Sequence, residues 1–126
     1  MREYSSTLNF GTRKDLVKSL RNICDSYSDI FSLVVLFGST ARGNFSDKSD
    51  IDLYIESDKM TTTQLLRNKR FDCFTLEVYN ILGGKGIDFD LVSKGENEIK
   101  ASRGSLLYSQ IEKDGVVLYD KRCIRV

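Results

Sequence analysis

Histidine is missing from all 126 residues. Its absence removes Ser-His-Asp and Cys-His mechanisms, histidine-ligated zinc and imidazole as a general base. Any chemistry must then run on carboxylates, hydroxyls, lysine, arginine or a bound metal. Proline is missing too, which leaves glycine as the main punctuation of the chain. Neither sign of charge dominates: 19 Lys and Arg against 18 Asp and Glu leave a formal charge of +1. A chain that coats nucleic acid carries a clear basic excess, so no direct nucleic-acid binding is expected. Cysteines are few, and Cys24, Cys73 and Cys123 lack the spacing of a zinc knuckle or a redox pair. They are expected to be reduced thiols used as small packing residues. The longest apolar run, Phe31 to Phe37, is interrupted by Ser32 and is far too short to cross a bilayer. The first residues carry Arg2 and Glu3, then Arg13 and Lys14, with no apolar signal region. A cytoplasmic protein with no membrane partner is expected.

What is present suits one domain, taken as residues 1–126, that buries roughly two thirds of its unfolded surface. Thr12 with Asp15 marks a helix start, and Leu16, Leu20, Ile23, Cys24 and Tyr27 then share a helical stripe. Leu33-Val34-Val35-Leu36-Phe37 is a buried strand, and Gly38 to Asp47 a small polar turn that has room for one helical turn. Asp50 to Ile55 alternates, with Ile51, Leu53 and Ile55 opposed to Asp50, Asp52 and Tyr54. A second helix is predicted from Thr62 or Thr63 to about Leu82, turning Leu66, Phe71, Phe74, Val78, Ile81 and Leu82 inward. Gly83-Gly84-Lys85-Gly86 stops it, and a third strand, Ile87 to Val92, sets Ile87, Phe89 and Leu91 against Asp88 and Asp90. Ser93 with Glu96 predicts a capping box for a last helix carrying Ile99, Leu106, Leu107 and Ile111. Asp114-Gly115 ends that helix, and Val116 to Tyr119 adds a short strand. The pattern predicts an α+β (mixed α/β) fold: a small mixed sheet of three to four strands with helices on one face and an open, polar side.

The chemistry concentrates in Gly38 to Leu53. Asp50 and Asp52, two apart on a strand, project from one face about 6–7 Å apart. Unneutralised, such a pair repels itself, and oxygen-only donors suit a hard cation such as magnesium. An isolated pair more often marks a solvated strand face, but this one does not stand alone. Gly38-Ser39 directly follows a buried strand, where backbone N–H groups and a hydroxyl can meet a phosphate. Arg42 is close behind, either as a fork for a phosphate oxygen or as a clamp onto Asp47 or Asp50. Asp88 and Asp90 form a second same-face pair, and residues 47–58 hold five acids against one lysine. Carboxylates beside a phosphate-accommodating turn are what metal-dependent phosphoryl or nucleotidyl transfer requires. Two other features carry less. Gly83-Gly84-Lys85-Gly86 follows a helix and precedes a strand, the reverse of a phosphate loop, and Arg67, Lys69 and Arg70 suit a solvated helix face.

Gly38-Ser39, ten residues, then Asp50-Ile51-Asp52 resembles the G-S-x(10)-D-x-D pattern of the DNA polymerase beta-like nucleotidyltransferase superfamily, most closely its minimal nucleotidyltransferase (MNT) branch. Arg42-Gly43 and Ser49 to Leu53 fit as well, and the order of elements agrees from about Thr12 to Tyr119. The resemblance implies the nucleotidyltransferase fold, with Asp50 and Asp52 holding two divalent ions, magnesium or manganese. A third carboxylate on a neighbouring strand would share one ion and help activate the attacking hydroxyl. Phe89-Asp90-Leu91-Val92 matches the family's strand, which makes Asp90 the choice and leaves Asp88 a competitor. Gly38 and Ser39, with Arg42 behind them, would cradle the triphosphate of an ATP-like nucleotide, whose alpha phosphorus is attacked with release of pyrophosphate.

Polymerases and antibiotic-modifying members carry added domains for primer or acceptor, and none is expected within these 126 residues. The chain is similar instead to the antitoxin half of HEPN/MNT toxin–antitoxin pairs, in which AMP passes from ATP to a tyrosine of the HEPN toxin. The expected activity is therefore that of a magnesium-dependent protein adenylyltransferase with a HEPN partner. Two alternatives stay open: a non-catalytic antitoxin acting by occlusion, and a small-molecule nucleotidyltransferase completed by a second subunit. The base of the nucleotide and the homo- or hetero-oligomeric state are not encoded in any readable motif.

Overall fold

A computed structural model describes residues 13–38, 40–42, 50–82 and 89–122. Thr12, Ser39, Asp47, the Gly83-Gly84-Lys85-Gly86 stop, Ile87, Asp88 and Cys123 lie outside the described residues. Helix α1 spans Arg13–Asp25, strand β1 Leu33–Phe37, β2 Ile51–Glu56, helix α2 Thr62–Arg67 and α3 Lys69–Ile81. Strand β3, Phe89–Lys94, precedes α4 at Ile99–Arg103, α5 at Leu106–Asp114 and β4 at Val116–Asp120.

The four strands form one mixed sheet in the order β3-β2-β1-β4. β1 runs antiparallel to both β2 and β4, with a register shift against β4 between Val34 and Val35. β2 and β3 run parallel, and the α2–α3 segment is the crossover that parallel neighbours require. The alternation of β2 sends Ile51, Leu53 and Ile55 into the main core. There they meet Val34 and Leu36 of β1, Leu118 of β4, Leu16 and Leu20 of α1, and Phe71, Phe74 and Val78 of α3. Phe31 caps this layer edge-on to Phe74, 4.7 Å between ring centroids. Each such fully buried side chain contributes about 1.5–3 kcal/mol, so this face anchors the sheet and frees the other for polar groups.

That opposite face is not uniformly open. Leu33 and Val35 of β1, Tyr54 of β2 and Ile111 of α5 form a second, smaller cluster. Tyr54, expected on the polar side with the aspartates, is fully buried beneath Tyr108. Helix α5 thus covers one end of this face, while among the described residues Asp52, at the other end, is only half-buried.

Other departures have local causes. The single helix expected over 62–82 is two, because Asn68 adopts an extended backbone and its side chain accepts from the N–H groups of Arg70 and Phe71. An N-cap in mid-stretch restarts the helical phase. Leu65 is consequently buried, and Leu66, expected to face inward, is 53% exposed. The capping box sits at Thr61 and Gln64, not at Ser93 and Glu96, since Ser93 belongs to β3 and pairs with Ile55. The last helix is likewise divided at Gly104, with Ser105 capping α5. Leu106 and Leu107, expected in the core, are exposed at 86% and 40%. Cys24 is a buried thiol outside any disulfide, as expected, but Cys73 is exposed. Among the described residues, no helix is long and apolar enough to cross a membrane.

Candidate active site

β1 ends at Phe37, and Gly38 turns the chain with φ +82°. Phe37 lies opposite Asp52 in the antiparallel register. The Gly38 Cα faces the Asp52 carboxylate so closely that a Cβ there would overlap Oδ2. Only glycine both adopts this backbone and leaves that space. The turn then closes on itself, as the Arg42 N–H donates to the Gly38 carbonyl at 3.2 Å. Thr40 and Ala41, within it, are buried. The Thr40 hydroxyl donates to the backbone carbonyl of Asp50 at 3.0 Å, tying the turn to the start of β2.

On the other side, the parallel ladder sets Asp90 of β3 directly across from Asp52 of β2. Partners in register project from the same face of the sheet. Asp52 is half-buried, Asp50 and Asp90 are exposed. The Asp52 carboxyl is held above the usual carboxylate range, first by burial and then by the charges of Asp90 and Asp50, with Arg42 pulling the other way. Three charged groups named from the sequence, Asp90, Asp50 and Arg42, thus act on Asp52. Gly38 joins them by contact, whereas Ser39 and the competitor Asp88 are outside the described residues.

Two contributors escaped the sequence reading. Arg13, at the start of α1, donates from Nε to the Thr40 carbonyl at 2.8 Å and from Nη2 to the Ala41 carbonyl at 2.7 Å. Thr40 lies within Gly38 to Leu53 but outside the glycine-serine and aspartate positions of the pattern. Neither residue carries a local signal, because each acts through backbone groups remote in sequence.

Farther along the same face the polar groups are structural. Glu56 is fully buried and takes two bonds from Arg103, at 3.1 and 2.5 Å. The Tyr54 hydroxyl donates to Glu56 at 2.8 Å and meets the Ser102 hydroxyl at the same distance. Burial is the main force pushing the Tyr54 phenol far up. Of the basic group on α2 and α3, Arg70 is committed to Asp29, at 2.7 and 3.1 Å, and lies over the Tyr27 ring. A groove of about 780 Å³ beside α1, lined by Arg13, Lys14, Lys18, Arg21 and Val116 among others, contains none of the three aspartates.

The family profile of the nucleotidyltransferase domain matches residues 17–120, a span running from α1 to β4 and holding all three aspartates. The chain belongs to the nucleotidyltransferase-domain family. No curated protein matches it in sequence. Among solved structures, this nucleotidyltransferase domain is similar to a chain of a mutant MntA–HpeT toxin–antitoxin complex. The two are 19% identical with a TM-score of 0.55, over 84% of this chain and 74% of that one. It is also similar to a chain of the complex between a tri-AMPylated HEPN toxin of Shewanella oneidensis and an MNT antitoxin. There the identity is 18% and the TM-score 0.53, over 88% of this chain and 75% of that one. At these identities the likeness establishes the nucleotidyltransferase fold.

Members of this family use nucleoside triphosphates and divalent metals, and the donors here suit such an ion in kind. Asp52 sits among like charges with a carboxyl pushed upward, the condition that a hard cation on oxygen ligands relieves. Among the described residues, no three acidic side chains stand close enough together to enclose an ion by themselves. That is compatible with magnesium, which commonly rests on one or two carboxylates plus the phosphates of its substrate.

Proposed function

We propose that this nucleotidyltransferase domain is a metal-dependent protein adenylyltransferase of the antitoxin type, moving AMP from ATP to a tyrosine hydroxyl of a HEPN-family toxin. The observation that carries the reading is the register that pairs Asp52 with Asp90, with Asp50 felt by Asp52 from two residues away. A binding module has no use for such repulsion, which costs stability unless something neutralises it. The fold shared with chains of the two toxin–antitoxin complexes supports the choice of partner.

In this reading Asp50, Asp52 and Asp90, together with the phosphates of the substrate, would hold the ions, which when bound would supply Lewis-acid stabilisation of the phosphoryl oxygens. Gly38 and Ser39 receive the triphosphate, and Arg42 faces a phosphate oxygen. The acceptor oxygen bonds to the alpha phosphorus as the bond to pyrophosphate breaks. Asp90 takes the acceptor's proton. Each role needs only a carboxylate, a backbone amide or a guanidinium, consistent with a chain that has no histidine.

The test is transfer of label from ATP, with magnesium, to a co-expressed HEPN partner. Label on a partner tyrosine is expected from the wild type. Asp50→Asn is expected to lower it by about two to three orders of magnitude, the several kcal/mol a held metal contributes. A partner that is never labelled, yet is neutralised equally well by Asp50→Asn, would establish occlusion in place of transfer.

A further inference from the structure

We propose that Arg13, outside the sixteen-residue motif, is a positioning residue that locks the turn between β1 and β2 into its working shape. The inference rests on the reading that this turn receives the nucleotide's phosphates. Arg13 lies 27 residues from Thr40 in sequence. Its guanidinium reaches the carbonyls of Thr40 and Ala41 with two separate N–H groups, at 2.8 and 2.7 Å. A planar fork suits two successive carbonyls, whereas a lysine ammonium is a single point.

The consequence follows from peptide planarity. The Ala41 carbonyl shares a rigid plane with the Arg42 N–H. That N–H donates to the Gly38 carbonyl. Arg13 therefore holds one edge of a peptide whose other edge holds Gly38, the residue packed on the Asp52 carboxylate. Through the Thr40 peptide it also steadies the residue whose hydroxyl binds the Asp50 carbonyl. A single side chain of α1 is thus bonded into the turn that contacts both members of the D-x-D pair. Rotation of either peptide would break a bond to Arg13.

The experiment compares wild type with Arg13→Lys and Arg13→Met, by amide hydrogen exchange without nucleotide and by calorimetric binding of magnesium-ATP. In both variants exchange of the Arg42 amide is expected to rise by at least about tenfold while Leu36 and Leu53, in the central strands, keep their protection. Affinity for magnesium-ATP is expected to fall by about tenfold, with manganese alone bound within about twofold of wild type. Should Arg13→Met fail to fold, Arg13→Lys carries the comparison. Unchanged exchange at Arg42, a uniform rise across the strand amides, or unchanged nucleotide affinity in a folded variant overturns the proposal. If wild type itself binds no magnesium-ATP, the phosphate-turn reading falls, and the exchange data still decide whether Arg13 holds the turn.

Discussion

Gly38 joins two demands that no other residue meets together. Its φ of +82° lies in the left-handed region, which costs a side-chain-bearing residue about 1–2 kcal/mol. The space its hydrogen occupies belongs to Asp52 Oδ2. In Gly38→Ala the methyl must displace that carboxylate or push the turn away from β2, on top of the backbone strain. The stability loss should therefore exceed the strain alone, reaching about 2 kcal/mol or more in chemical denaturation. Transfer should fall by about a hundredfold, the usual consequence of misplacing a reacting group by about an ångström. The two readouts separate the effects, because strain lowers the denaturation midpoint whereas misplacement lowers the rate of molecules that remain folded. A variant that loses stability but transfers at nearly the wild-type rate would show that the contact with Asp52 does not set the carboxylate's position.

At the scale of the element, β2 carries a gradient along one face. Asp52 is half-buried at one end, Tyr54 is closed over by Tyr108, and Glu56 is sealed under Arg103. Helix α4 supplies both Ser102 and Arg103 to this network, so the polar side chains of β2 hold α4 against the sheet. Removing Arg103 leaves the buried Glu56 carboxylate with the Tyr54 hydroxyl as its side-chain partner among the described residues. For a fully buried pair that costs about 3–5 kcal/mol. The Arg103 side chain is 38% exposed, and water reaching the gap lowers the expectation for Arg103→Met to about 2–3 kcal/mol in urea denaturation. Adding Glu56→Gln should restore part of it, since the orphaned charge is what costs most. Transfer by the folded fraction should be unchanged in both, because Tyr54 separates this network from the aspartates. Equal stability of Arg103→Met and wild type would mean that Glu56 does not depend on its partner.

At the scale of the whole molecule, what could be read in advance was whatever depends on local periodicity. The alternation of Ile51, Leu53 and Ile55 and the apolar run of β1 announced the sheet, and Asp50 and Asp52 announced the acidic end. Asn68 gave no such warning, because an asparagine inside an amphipathic stretch looks the same whether it points to water or caps a new helix. Ser93 misled for the opposite reason: its spacing to Glu96 imitates a cap, but pairing with β2 extends β3 through it. Arg13 and Thr40 were invisible, their bond spanning 27 residues with no repeat to betray it. The charges around Asp52 also bear on the stability of the chain, with a sign that can be worked out. The folded state raises the Asp52 carboxyl by burial and by Asp90 and Asp50, so it holds that proton more tightly than the unfolded chain does. Its contribution to stability is full below the ordinary carboxylate value and is lost as pH rises through the higher, folded one. Without metal at neutral pH, Asp52→Asn should therefore be the more stable protein, by about 0.2–1 kcal/mol, as for like charges opposed on neighbouring strands. The advantage should vanish in acid. On the proposed reading magnesium should reverse the order: at a hundred times its dissociation constant, an ion bound only by the folded wild type would add about 2.7 kcal/mol. Thermal denaturation across pH, with magnesium and with chelator, reads all three arms. An Asp52→Asn variant that is less stable than wild type in chelator at neutral pH would mean that the aspartates do not repel one another.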